Sequence, residues 1–122
     1  MVTSGTRALV DGWLEVLKLA HPEYLVVAED VEIGKPDPRC YLLGRTRLGL
    51  TDDASMLVIE DAPSGIKAGK AAGFKVLALA TTHRIEQLKE AGADWIVEDL
   101  RSLALRKCEG GKVEMEMQNT LQ

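Results

Sequence analysis

Five aromatic residues, two cysteines, no excess of positive charge and no long apolar run set the first bounds on this chain of 122 residues. With 15 Lys and Arg against 19 Asp and Glu, the net charge is −4 and the signs are interspersed. Neither a basic footprint nor a stacking platform is present, which excludes nucleic acid as the expected partner. No run approaches the roughly 20 apolar residues that a membrane span requires, and no charged-then-apolar leader layout is visible. A soluble, cytoplasmic protein without a membrane partner is expected. Cys40 and Cys108 lie in unlike contexts with no ligand cluster beside them, so both read as free thiols. His21 and His83 lack metal-ligand spacing, and no internal repeat occurs.

What is present alternates short apolar runs with helical patterns, the signature of βαβ units and a parallel sheet. Leu9, Trp13 and Leu17 recur at four-residue spacing, giving an amphipathic helix that ends near Ala20. Tyr24 to Ala28 reads as a strand. Asp37 and Pro38 form a cap and first-turn pair for a helix through Leu48. Met56 to Ile59 is continuously apolar, as for a strand covered on both faces. A helix from about Ser64 stops at Gly73, Lys75 to Ala80 is the next strand, and Thr82 is placed to cap a helix carrying Ile85 and Leu88. Trp95 to Val97 is a short final strand. Residues 1–106 therefore read as one α/β domain, and residues 107–122 as a polar, frayed tail. Both tryptophans are expected to pack in a core or an interface.

Two motifs carry chemistry. Val58-Ile59-Glu60-Asp61-Ala62-Pro63-Ser64-Gly65 is an apolar run that ends in two carboxylates and turns into a helix. In open α/β sheets that position faces a ligand crevice outside the carboxyl ends of the strands. Gly34-Lys35-Pro36-Asp37-Pro38 sets a lysine after another apolar run. A lysine and an acid pair at such places suit one phosphate and one metal. Taken singly, each has a plainer reading: a solvated lysine, a helix cap at Asp61, and a capping Thr3 and Ser4.

In that order and spacing, together with Met1-Val2-Thr3-Ser4-Gly5-Thr6 and Gly65-Ile66-Lys67-Ala68-Gly69, these motifs resemble the C-terminal part of the haloacid dehalogenase-like phosphatases. The wording is closest to the glycerol-phosphate and deoxyglucose-phosphate branch, over roughly residues 1–100. The resemblance implies a three-layer, Rossmann-like parallel sheet with flanking helices. It implies phosphate binding by Thr3, Lys35 and the backbone amides of Ser4 and Gly5, since phosphoryl oxygens need fixed positive charge and donors. It also implies Mg²⁺ held directly by Asp61, with Glu60 holding a metal-bound water or orienting the shell.

The family's first motif, the Asp-x-Asp that supplies the nucleophile, does not occur. Asp52-Asp53 lies in a polar linker and Asp11-Gly12 in a helical pattern, so neither replaces it. The substrate-selecting cap is not found either, and the chain starts at the second motif. No residue here is expected to be the nucleophile, and the chain alone is expected to be inactive. In the family's sheet the first strand lies between those ending at the second and fourth motifs. Without it two strand edges stand unpaired, and a homodimer, an aggregate or a complementing chain is expected. Two functions fit: the phosphate- and Mg²⁺-binding part of a phosphatase acting on a small phosphorylated sugar or polyol when completed by an N-terminal segment, or a non-catalytic interaction or regulatory domain on the same scaffold.

Overall fold

The computed structural model describes residues 1–122. Its core is a parallel sheet of three strands, β1 (Leu57–Glu60), β2 (Lys75–Leu79) and β3 (Trp95–Val97), in the order β1-β2-β3. The register sets Val58 against Val76 and Ala78 against Ile96. β2 is the middle strand, paired on both sides, and Val76, Leu77 and Ala78 are wholly buried. The helices are α1 (Arg7–Val16), α2 (Arg39–Arg47), α3 (Pro63–Ala71) and α4 (Ile85–Glu90). Ile66 of α3 and Leu88 of α4 pack with Val58, Phe74, Val76 and Ile96 in the main core. The chain is thus α/β with a parallel sheet and flanking helices.

β1 departs from its expected double-sided burial. Val58 and Glu60 are buried, whereas Leu57 and Ile59, on the opposite face, are 40 % and 39 % exposed. The cause is the position of α1, whose buried Val10 and Leu14 pack on Val27 in a separate small cluster instead of on β1. α1 is correspondingly short, and Trp13 is 57 % exposed, so this tryptophan does not pack in a core.

The strands expected around Val2 and over Tyr24 to Ala28 reduce to one parallel bridge, Val2 to Val26. It is held by Thr3 N–H donating to Val26 O at 3.0 Å and Val26 N–H to Met1 O at 2.9 Å. Beyond it, Ala28–Asp30 turns into a 3₁₀ helix because Asp30 Oδ2 accepts from Val27 N–H and is paired by Arg47. Between this bridge and the outer edge of β1 runs an apolar groove of about 160 Å³, lined by Val2, Val26, Leu57, Ile59 and Phe74 among others. Arg45 borders it with its guanidinium over the Phe74 ring, and its Nε is buried without a partner.

The tail expected to fray is instead a β-hairpin, β4 (Leu103–Glu109) and β5 (Lys112–Met117), antiparallel with Leu105 opposite Met115. Gly110 and Gly111 both have positive φ, 60° and 73°, the backbone that a two-residue hairpin turn requires. The alternation Val113-Glu114-Met115-Glu116-Met117 puts apolar residues on one face, and Arg106 pairs with Glu116 on the other. Past the hairpin, Leu121 N–H donates to Ile96 O at 2.7 Å, covering the outer edge of β3. The far edge of the sheet, along β1, has no such cover. Cys40 is buried and Cys108 exposed, and both are free thiols. No helix is long and apolar enough to cross a membrane.

Candidate functional site

β1 ends at Glu60, which delivers that carboxylate into the crevice between the sheet, α2 and the first turn of α3. The side chain is 9 % exposed and carries a charge that burial would make costly without partners. It has three. Lys35 Nζ and Tyr41 Oη both donate to Glu60 Oε1, and Asp61 N–H donates to Oε2 at 3.3 Å. Lys35 Nζ also reaches Val2 O at 3.4 Å, so the lysine lies beside the turn that carries Thr3. Its ammonium sits 5.0 Å from the centre of the Tyr41 ring. Burial first, and then the hydrogen bond to Glu60, push the Tyr41 phenol far above its usual range. It therefore stays protonated and serves as a donor. Burial likewise raises the Cys40 thiol, partly offset by the charge of Lys35.

Gly65, in the first turn of α3, makes this arrangement possible. A Cβ there would lie 2.0 Å from Glu60 Cδ and within 2.3 Å of both carboxylate oxygens, so only a residue without a side chain fits.

Asp61 turns the other way, toward the loop after β2. Thr82 Oγ1 donates to Asp61 Oδ2 at 2.8 Å, and His83 Nδ1 stands 3.2 Å from Asp61 O. Thr82 is therefore not the cap of α4. That place is Arg84, whose N–H donates to Gln87 Oε1 at 3.1 Å, because the Thr82 hydroxyl makes the stronger charge-assisted bond to a carboxylate.

The expected phosphate site is brought together in part. Lys35 and the Thr3 turn meet, and Thr3 is half-buried while Ser4 is exposed. The Gly5 amide is not a free donor, since it donates to Thr3 Oγ1 at 3.1 Å. The start of α1 is also taken: both Glu29 carboxylate oxygens accept from Arg7 N–H, at 3.0 and 3.1 Å, and Thr6 Oγ1 accepts from Leu9 N–H. An anion would have to displace Glu29 to use that helix end.

For Mg²⁺ the fit is incomplete. No group of three or more acidic, histidine or cysteine side chains is placed to hold a metal ion. The Glu60 carboxylate is engaged by Lys35 and Tyr41, and Asp61 turns away from it toward Thr82. With Thr82 on Oδ2, Asp61 contributes one free carboxylate oxygen, Oδ1. Mg²⁺ is commonly held through one or two carboxylates with water filling its shell, so Asp61 Oδ1 is the candidate direct ligand and no cluster of further ligands stands beside it.

Tyr41, Gly65, Thr82 and His83 were not evident as site residues in the sequence. The last two had a usable signal, since they follow β2 and the carboxyl ends of adjacent parallel strands face one crevice. Tyr41 had none, because its contact with Glu60 spans 19 residues.

Residues 1–79 match the family model described as haloacid dehalogenase-like hydrolase. The chain is 42 % identical over 123 residues to glycerol-1-phosphate phosphohydrolase 1 of Saccharomyces cerevisiae, covering 96 % of this chain and 49 % of that protein. It is 36 % identical to 2-deoxyglucose-6-phosphate phosphatase 2 of the same yeast, covering 99 % and 52 %. Among solved structures, a hydrolase from Pseudomonas syringae superposes with a TM-score of 0.72 at 32 % identity, covering 80 % of this chain and 47 % of that one. A hydrolase of the same superfamily from Deinococcus radiodurans, with bound phosphate and sodium, superposes with a TM-score of 0.69 at 26 % identity, covering 77 % and 44 %. The chain spans about half the length of the relatives it matches.

Proposed function

This chain belongs to the haloacid dehalogenase-like hydrolases, and from that premise we propose that it is the phosphate-binding part of a phosphatase acting on a small phosphorylated sugar or polyol. The observation that carries this reading is the meeting of Lys35 with the Thr3 turn at the carboxyl end of β1. Lys35 holds its ammonium, one-tenth exposed, where one of its three N–H donors is left for a phosphoryl oxygen. The Thr3 hydroxyl and the exposed Ser4 turn add polar groups on the same side. Glu60 compensates the lysine charge when no anion is present. Asp61 Oδ1, which accepts no hydrogen bond, is the oxygen of the acid pair most open to a Mg²⁺ ion, and water would fill the rest of the shell.

We assign the nucleophile to no residue of this chain, and in a serine protease the loss of the nucleophile alone removes on the order of 10⁶ in kcat. The groove along β1 suits an extended apolar segment, which would pair with the open strand edge and offer an acceptor to Arg45 Nε. We propose that a segment of this kind, from a complementing chain or a longer polypeptide, carries the nucleophilic aspartate.

Titration calorimetry with inorganic phosphate tests the binding part. Wild type is expected to bind phosphate and Lys35→Ala to lose that binding; equal binding by both would refute the assignment. With Mg²⁺ present, no hydrolysis of p-nitrophenyl phosphate above buffer is expected, and a turnover that vanishes in Asp61→Asn would overturn that expectation.

A further inference from the structure

We propose that Tyr41 is a positioning residue of the phosphate site, holding Glu60 so that the Lys35 ammonium is shared with an incoming anion instead of being captured by the carboxylate. The inference rests on the reading of Lys35 as a phosphate ligand. Tyr41 and Lys35 donate to the same oxygen, Glu60 Oε1, and compete for it inside a pocket where all three side chains are nearly buried.

The competition has a direction. Glu60 is a buried charge whose stabilisation is divided between an ammonium, a phenol and one backbone amide. Removing the phenol leaves the ammonium to compensate more of that charge, since a buried carboxylate draws on whatever donors remain. Lys35, held more tightly by Glu60, then has less to gain from a phosphoryl oxygen approaching its remaining N–H donor. The phenol is a donor to Glu60 Oε1 by the geometry of the contact. The Tyr41 ring, beneath Lys35 Nζ, limits where the ammonium can go and keeps it against the Thr3 turn. Tyr41 itself touches neither Thr3 nor Ser4 in any hydrogen bond, so its influence on the anion runs through Glu60 and Lys35.

A merely structural tyrosine would change stability without changing this balance. Phosphate affinity is therefore compared by titration calorimetry with inorganic phosphate for wild type, Tyr41→Phe, Glu60→Gln and the double variant, with thermal melts run beside each. Tyr41→Phe is expected to weaken binding about 3- to 10-fold, the scale of one hydrogen bond. Glu60→Gln is expected to tighten binding, because it removes the charge that holds Lys35 back. On the Glu60→Gln background, adding Tyr41→Phe is expected to change affinity less than about twofold. Equal affinity of Tyr41→Phe and wild type, or an undiminished loss on the Glu60→Gln background, would overturn the inference. If Tyr41→Phe fails to fold, weaker binding by Glu60→Gln alone overturns it and tighter binding supports it. Failure of wild type to bind phosphate would overturn the phosphate reading and this inference together, an outcome recognisable before any variant is measured.

Discussion

Gly65→Ala should be the most damaging small substitution in this protein. At an ordinary helical position the change stabilises by about 0.5–1 kcal/mol, because Gly loses more backbone freedom on folding. Here the new methyl would stand 2.0 Å from Glu60 Cδ and 2.1 and 2.3 Å from its two oxygens, distances that no rotation of the methyl relieves. The carboxylate must move, and it is held on one oxygen by both Lys35 and Tyr41. Hydrogen bonds to a charged group contribute about 1.5–3 kcal/mol each, so losing two costs about 3–6 kcal/mol before the helical gain is subtracted. The net loss is then about 2–5 kcal/mol. At roughly 4 °C per kcal/mol for a chain of this size, that lowers Tm by about 8–20 °C. Urea unfolding and thermal melting measure it. Gly12→Ala is the control, since a Cβ there meets nothing within 4 Å in the interior of α1, and it should stabilise slightly. Gly65→Ala as stable as Gly12→Ala, with phosphate affinity intact, would refute the close packing of Glu60 against α3.

The remaining expectations concern acid stability and the open edge of the sheet. Burial raises the Asp94 carboxyl, but Lys70 at 2.8 Å, the Val76 N–H and Lys75 outweigh it and hold it at about 2, against 3.8 for the free group. The unfolded chain therefore takes up the proton first, so this stabilisation is present above about pH 4 and is lost as pH falls through about 2. Urea midpoints of wild type and Asp94→Asn should differ at pH 6 and converge toward pH 2; a constant difference would contradict the assignment. With Leu57 and Ile59 exposed beside an unpaired strand edge, the chain alone should self-associate or melt over a broad, concentration-dependent range. Leu57→Lys should reduce that association in sedimentation experiments, and a monodisperse wild-type monomer with a sharp transition would show that the groove is closed in solution.

The order of strands and helices from α2 to β3 could be read from residue periods and turn residues alone. From β1 to β3 each element is joined to the next by a short connection, so local pattern and sheet neighbour coincide. Lys35, Glu60 and Asp61 were legible for the same reason: in a parallel sheet a polar residue at the end of an apolar run stands at the binding edge, whatever its neighbours. The hairpin was legible in principle, in the Gly110-Gly111 pair between alternating strands, but the charged residues of its outer face resembled an unstructured tail.

Tertiary structure alone decided the rest, because it depends on which distant groups compete for the same atom. That Glu60 turns to Lys35 and Tyr41 while Asp61 turns to Thr82 comes from burial: the inner carboxylate must find donors, and two lie within reach only once α2, with Lys35 in the segment before it, packs into the main core. That Glu29 occupies the start of α1 follows from the bridge between Val2 and Val26, which sets the two segments side by side and brings Arg7 and Glu29, 22 residues apart, together. The bare face of β1 has the same origin. Its residues are as apolar as a buried strand requires, and only the placement of α1 on Val27, away from β1, leaves Leu57 and Ile59 in solvent.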